Sequence, residues 1–370
     1  MSISFTRSSY HPLSQQELQE ISDLVATEKQ TISNHTLNEK ITRYFNGHHR
    51  IVFELKQFPS HIIKIDSSSN AKLYPDILKC QKLIQQKGWM RCVVPEVQII
   101  KKGEGEQIIW IEQKLEGSYS SGEAKEISEK EFEKFGEDPS LLMKWNEIFS
   151  QAAEFIAATG YSDVDWRNLL LMKESLGFID FESNAVFSNN PRETGFGLFR
   201  LLKMAPLESF SSILQVVEKK GLQGHLFYYA NQSQGFYQKG FRQEETTYEE
   251  ALSLLREIRT EELAFTSGLR QRHEGKTEIQ IHQDILNGYP ENSIERDLLE
   301  QFNAKSNYDK HDLIGCRRLY LQPFLSHHEK IYDEKDLIQA LEQLKKEGVI
   351  FSWNLQTFYQ KESTELEIYF

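Results

Sequence analysis

Cysteine is nearly missing from this chain: Cys80, Cys92 and Cys316 are the only three in 370 residues, far apart and odd in number. That excludes a disulfide framework and any C-x-x-C metal or redox spacing, and it fits a reducing compartment. Long hydrophobic runs are missing too. No stretch reaches the roughly 20 apolar residues that a bilayer-spanning helix needs. The opening MSISFTRSSYHPLSQQ has no apolar core of the secretory kind. The chain is therefore expected to be soluble and cytoplasmic, with leaderless secretion as an effector the alternative. Positive charge is in deficit, 43 Lys and Arg against 55 Asp and Glu, for a formal net charge of −12. This argues against adhesion to nucleic acid or an anionic membrane as the main activity. The histidine pairs His48-His49 and His327-His328 are adjacent and lack the i, i+4 spacing of a helical metal site.

What is present is ordinary globular material, 39% hydrophobic and 12% aromatic, in a chain long enough for more than one core. Ser14-Gln-Gln-Glu17 is a capping box with Leu13 and Leu18 at the staple positions, so a helix is expected from Gln15 to Lys29. Short apolar runs follow. Arg50–Leu55 and His61–Ile65 read as strands joined by a proline-bearing turn, and Asp76–Lys87 reads as a helix stopped by Gly88. Pro95–Ile100 and Gln107–Glu112 read as a hairpin. Residues 117–138 are polar, acidic and poorly patterned, like a linker, and Ser140–Thr159 has apolar residues at helical spacing before Gly160. Beyond Glu182 the chain is mostly helical in pattern. It ends in a helix from Asp333 to Gly348, a strand from Val349, and an alternating strand Glu365–Phe370. The expected division is 1–40, an N-terminal extension; 41–116, a β-rich lobe with one helix; 117–138, a linker; 139–242, a helical lobe; and 243–370, an accessory region of winged-helix-like pattern.

The chemistry concentrates in Tyr161-Ser-Asp163-Val-Asp-Trp-Arg-Asn168, an apolar strand, and then Asp180-Phe-Glu182. Phosphoryl transfer asks little covalent help of a protein. It needs a carboxylate to accept the attacking hydroxyl's proton and oxygen ligands to hold Mg²⁺ against phosphates. An aspartate five residues before an asparagine, then two short strands ending on another aspartate, supplies those parts. Lys64, near the end of an upstream strand, is placed for the α- and β-phosphates. Each residue alone has a plain structural reading as turn, cap or strand end. The order of the set is the signal.

From about Asn46 to Arg200 the chain resembles the protein-kinase-like superfamily, on the branch of aminoglycoside and choline phosphotransferases. Tyr161-Ser-Asp163 resembles that family's His-Arg-Asp or His-Gly-Asp, Asp180-Phe-Glu182 its Asp-Phe-Gly, and Glu112-Gln-Lys114-Leu-Glu116 its adenine-binding hinge. The resemblance implies an α+β bilobal fold, a small β-rich lobe with one helix and a helical lobe. It also implies ATP and Mg²⁺ as cofactors. Asp163 would then be the base, Asn168 and Asp180 the metal ligands, Lys64 the phosphate lysine, and Glu112 and Lys114 part of the nucleotide site. The glycine loop is reduced to Asn46-Gly47-His48-His49, with His48, His49 or Arg50 as substitute phosphate donors. No glutamate lies between Lys72 and Met90 to pair with Lys64, so Asp76 and Gln81 are the nearest candidates. Asp165 would repel a γ-phosphate unless a cation offsets it.

The activity so implied is phosphotransfer from ATP–Mg²⁺ to a hydroxyl on a small-molecule or protein acceptor. The alternatives are a pseudokinase scaffold binding a protein partner and an adenylyl transferase of the same fold. The terminal helix, Lys335 to Lys346, carries Glu342 in an acidic setting, so a protein partner is expected at the C-terminal region rather than nucleic acid.

Overall fold

The computed structural model describes residues 12–45, 50–66, 73–101, 108–118, 121–181, 186–187, 190–226 and 248–276, with short pieces beyond 276. Helix α1 (Gln15–Thr27) starts as its sequence dictates. Ser14 accepts from the Glu17 N–H while Glu17 reaches back to the Ser14 N–H, closing the capping box. A short α2 (Lys29–Ser33) follows. Ile21 and Val25 of α1 and Ile32 of α2 bury one face against a five-stranded sheet.

That sheet has the order β1-β2-β3-β6-β5, with every neighbouring pair antiparallel. Its strands are β1 (Ile41–Phe45), β2 (Ile51–Leu55), β3 (His61–Asp66), β5 (Val97–Lys101) and β6 (Ile108–Gln113). Four of these match the expected strands within about two residues. β1 escaped the sequence reading because Thr42 and Arg43 of this edge strand are exposed, which dilutes its alternation. Period-2 geometry then decides what the sheet offers each side. Ile63, Ile65, Ile109 and Ile111 point into the core shared with α1 and α2. Ile62, Lys64, Asp66, Trp110 and Glu112 therefore lie on the opposite face. Every residue of β3 is buried, as expected where both faces of a sheet are covered.

Helix α3 (Leu73–Lys87) packs its Leu73, Ile77, Cys80 and Ile84 into the second, larger core. It ends at Gly88, whose φ of +67° only glycine adopts freely. The expected linker is instead partly helical: α4 (Ser121–Phe132) buries Ala124, Ser128 and Phe132, spaced four apart. A small and a hydroxyl residue on that face hid it from an apolar count. Helix α5 (Pro139–Thr159), capped by Asp138 and stopped by Gly160 at φ +72°, is the spine of the helical lobe. Its Trp145, Ile148, Phe149, Ala152, Phe155 and Ile156 are fully buried. A small sheet joins β4 (Cys92–Val93), β8 (Leu176–Phe178) and β7 (Leu169–Leu171) in the order β4-β8-β7.

Helices α6 (Pro191–Met204) and α7 (Phe210–Lys219) close the lobe. On the far side of the expected 242/243 division, α8 (Tyr248–Arg272) adds Leu252 and Leu255 to the same core. Its buried Arg259 donates to the carbonyls of Met204 and Ala205 at the end of α6, where a cation complements the helix dipole. Further on, β9 (Val349–Ser352) and β10 (Thr357–Gln360) form an antiparallel hairpin. The expected strand Glu365–Phe370 and most of the expected helix before Gly348 lie outside the described residues. Among the described residues no helix is long and apolar enough to cross a membrane.

Candidate functional site

Strand register assembles one wall of the candidate site, on the sheet face opposite α1 and α2. Ile51 pairs with Ile65, so Arg50 falls opposite Asp66, and Lys64 falls opposite Trp110, diagonal to Glu112. The Lys64 ammonium pairs with Glu112 Oε2 at 2.9 Å, both side chains 9% exposed. It also donates to the carbonyl of Ile179 at 2.9 Å, reaching the segment just before Asp180. Burial pushes the Glu112 carboxyl above its usual range, and Lys64 only partly opposes that. Arg50 makes three bonds: Nε to Asp66 Oδ2 at 2.7 Å, Nη1 to Asp180 Oδ1 at 3.0 Å and Nη2 to the Phe181 carbonyl at 2.9 Å.

The other wall is the loop after α5. Tyr161 is wholly buried against Phe155, Phe178 and Phe181, and its hydroxyl donates to the Asp180 carbonyl at 3.2 Å. This one ring ties the Asp163 loop to the Asp180 loop. Asp163 Oδ1 accepts from Arg200 Nη1 at 3.0 Å, and Asp165 Oδ2 accepts from Arg200 Nη2 at 2.7 Å. Arg167 adds a second bond to Asp165 through its side chain at 3.1 Å and another from its backbone N–H at 3.0 Å. The two aspartates titrate in opposite directions. Burial raises the Asp163 carboxyl, with Arg200 pulling the other way. Burial also acts to raise Asp165, but the hydrogen bonds and charges of Arg167 and Arg200 prevail and hold it below the ordinary aspartate value. The charge at 165 that would repel a phosphate is thus offset from within the protein.

Arg200 was not anticipated. It comes from α6, which approaches the loop closely at Gly197: a Cβ there would lie 2.3 Å from the Tyr161 carbonyl oxygen. Gly197 and Arg200 are three apart on one helix face, and a glycine inside an amphipathic helix is the trace that sequence reading could have followed.

Asn168 Nδ2 donates to the Asp163 carbonyl at 3.2 Å, leaving its carbonyl oxygen as an acceptor. Its own backbone carbonyl receives the Ile179 N–H at 3.1 Å, which sets Asn168 beside Asp180. The Asp180 side chain is 40% exposed. Among the described residues no group of three or more His, Cys, Asp or Glu converges into a metal cage. One carboxylate and one amide oxygen nevertheless suit Mg²⁺, which keeps several waters and takes phosphate oxygens rather than a full protein cage.

Two sequence expectations need correction. The partner of Lys64 is Glu112, from β6, rather than a residue of α3. Asp76 instead pairs with Lys79, and Gln81 donates to the Pro95 carbonyl. The hinge is also less open than the resemblance implies. Glu112 sits inside the sheet, and the N–H groups of Gln113 and Lys114 already donate to the carbonyls of Glu96 and Ser60. The Lys114 ammonium pairs with Glu54 at 2.8 Å. Gly47, with His48 and His49, and Glu182 lie outside the described residues.

No protein-family model matches the chain, and no curated protein matches it by sequence. Solved structures are similar to it. The GDP and kanamycin complex of APH(2")-IIia aligns over 63% of this chain and 97% of its own, with 12% identity and a TM-score of 0.31. An aminoglycoside phosphotransferase from Alicyclobacillus acidocaldarius aligns over 73% and 99%, with 13% identity and a TM-score of 0.26.

Proposed function

We propose that the chain is a kinase-like phosphotransferase that uses ATP and Mg²⁺ and transfers a phosphoryl group to a hydroxyl acceptor. The supporting observation is the meeting of the two walls. Lys64 reaches from the sheet to the backbone at Ile179, one residue before Asp180, while Tyr161 fixes that same segment to the Asp163 loop. In this reading Lys64 and Arg50 present positive charge to the phosphates. Asn168 and Asp180 hold the cation, which when bound neutralises charge developing on the transferred group. Asp163 keeps one carboxylate oxygen on Arg200 and offers the other to the acceptor hydroxyl. Its raised affinity for a proton makes it a better base than a free aspartate.

A scaffold reading, with a protein partner in place of an acceptor, has one observation in its favour: Asp180 Oδ1, an oxygen the cation would need, accepts from Arg50 at 3.0 Å. Thermal melting of the full chain separates the two. In the enzyme reading ATP–Mg²⁺ at a hundred times its Kd adds about 2.7 kcal/mol, and Asp180→Ala removes the metal-dependent part. No shift at millimolar ATP–Mg²⁺ sinks the enzyme reading. Where binding occurs, transfer of label from γ- but not α-labelled ATP distinguishes phosphoryl from adenylyl transfer.

A further inference from the structure

Arg50 does more than face a phosphate. Its guanidinium is spread over three acceptors, and they differ in kind. Asp66 is a permanent partner, its side chain 4% exposed and fixed opposite Arg50 by the β2–β3 register. Asp180 is not: its side chain is 40% exposed, and its oxygen is one that the proposed cation site needs. A guanidinium and a divalent cation on one carboxylate repel each other, so each weakens the other's hold. Phosphate is an equally good partner for a guanidinium fork. Nucleotide can therefore draw the Nη groups from Asp180 and Phe181 to its own oxygens while Nε stays on Asp66. Arg50 is never left without a partner in the exchange, and the Asp180 carboxylate is released only when phosphates are present.

We propose that Arg50 makes divalent-cation binding at Asp180 conditional on nucleotide. The proposal rests on the metal–nucleotide reading above and adds to it a coupling device formed by Arg50, Asp66 and Asp180. By linkage, the cation must raise nucleotide affinity by the same factor that nucleotide raises cation affinity.

Manganese is a suitable probe, with the free ion counted by electron paramagnetic resonance against the full-length chain. Wild type should bind Mn²⁺ weakly alone and on the order of ten-fold more tightly with a non-hydrolysable ATP analogue. Arg50→Gln should bind Mn²⁺ alone on the order of ten-fold more tightly than wild type, and its gain on adding nucleotide should shrink by the same factor to what the phosphate oxygens themselves contribute as ligands. Because Arg50→Gln strands the buried Asp66, the double variant Arg50→Gln/Asp66→Asn serves as a second test and should show the same gain. Adding Asp180→Asn should abolish the gain. If wild type shows nucleotide-dependent binding but both Arg50 variants bind the bare ion no better than it does, the coupling device is wrong while the metal site stands. A gain that survives Asp180→Asn also overturns it, because the ion then sits elsewhere. Manganese bound by no variant, with or without nucleotide, removes the metal site and this proposal together.

Discussion

The two walls of the candidate site hold matching sets of charges in opposite ways. The sheet wall has Arg50 and Lys64 against Asp66 and Glu112, with side chains 4% to 12% exposed. The loop wall has Arg167 and Arg200 against Asp163 and Asp165, 21% to 42% exposed. Strand register fixes the first set before any ligand arrives, and burial makes each charge depend on its partner. The second set hangs on a loop and on one helix, and it is the more exposed of the two to solvent. In the proposed function this difference divides the labour, with rigid cations on one side and the proposed base on the other.

Breaking the buried pair should produce the largest effect. Lys64→Ala leaves the buried Glu112 without its cation, and should lower unfolding stability by about 3–5 kcal/mol in urea titrations. Lys64→Met/Glu112→Leu removes both charges and should recover most of that loss, while abolishing any ATP-induced stabilisation. A single-variant cost below about 1 kcal/mol would place the pair in the wet class with the loop wall, and the contrast would collapse.

The loop wall should break through packing instead. Gly197→Ala puts a methyl 2.3 Å from the Tyr161 carbonyl and 3.0 Å from an Ile156 carbon. Alanine's better helix propensity offsets this only in part, so a net loss of about 1–3 kcal/mol is expected from overpacking. Gly136→Ala, where an added methyl meets nothing within 4 Å, is the control and should be neutral in the same melts. Equal effects at the two positions would show that α6 does not clamp the loop.

The same contrast explains what was legible in the sequence. The proposed base Asp163 and the proposed metal ligands Asn168 and Asp180 sit in one short segment, where spacing alone suggests that chemistry. The strands around Lys64 were legible from alternation. Glu112 as its partner was not, because diagonal pairing across β3 and β6 depends on register that no local pattern carries. Arg200 lies 37 residues from Asp163 along the chain and meets it only through the packing of α6. The helix α4 was hidden by a buried face of alanine and serine. Local grammar was readable, and long-range electrostatic pairing was not.

The smallest effect tests whether the walls differ in acid as they do in exposure. Asp165 is held below its ordinary value in the folded state, so its ionised form favours folding. Its contribution is fully present above the unfolded value of about 3.9 and is lost as pH falls through the lower folded value. Asp165→Asn should therefore cost about 1 kcal/mol at pH 7 and progressively less below about pH 4. Asp163 and Glu112 have the opposite sign. Burial raises both, so ionising them costs stability as pH rises from the ordinary carboxylate value through the raised one. Asp163→Asn should then be neutral or stabilising at pH 7, an advantage that fades in acid, even though it removes the proposed base. Urea titrations at pH 7 and pH 4 check both signs. A pH-independent penalty for Asp165→Asn, or a pH 7 penalty for Asp163→Asn, would contradict the assignment. If both signs hold, Asp163 is a carboxylate of the more exposed wall that burial treats as it treats Glu112, the mixed environment that the proposed base would need in order to hold a proton briefly.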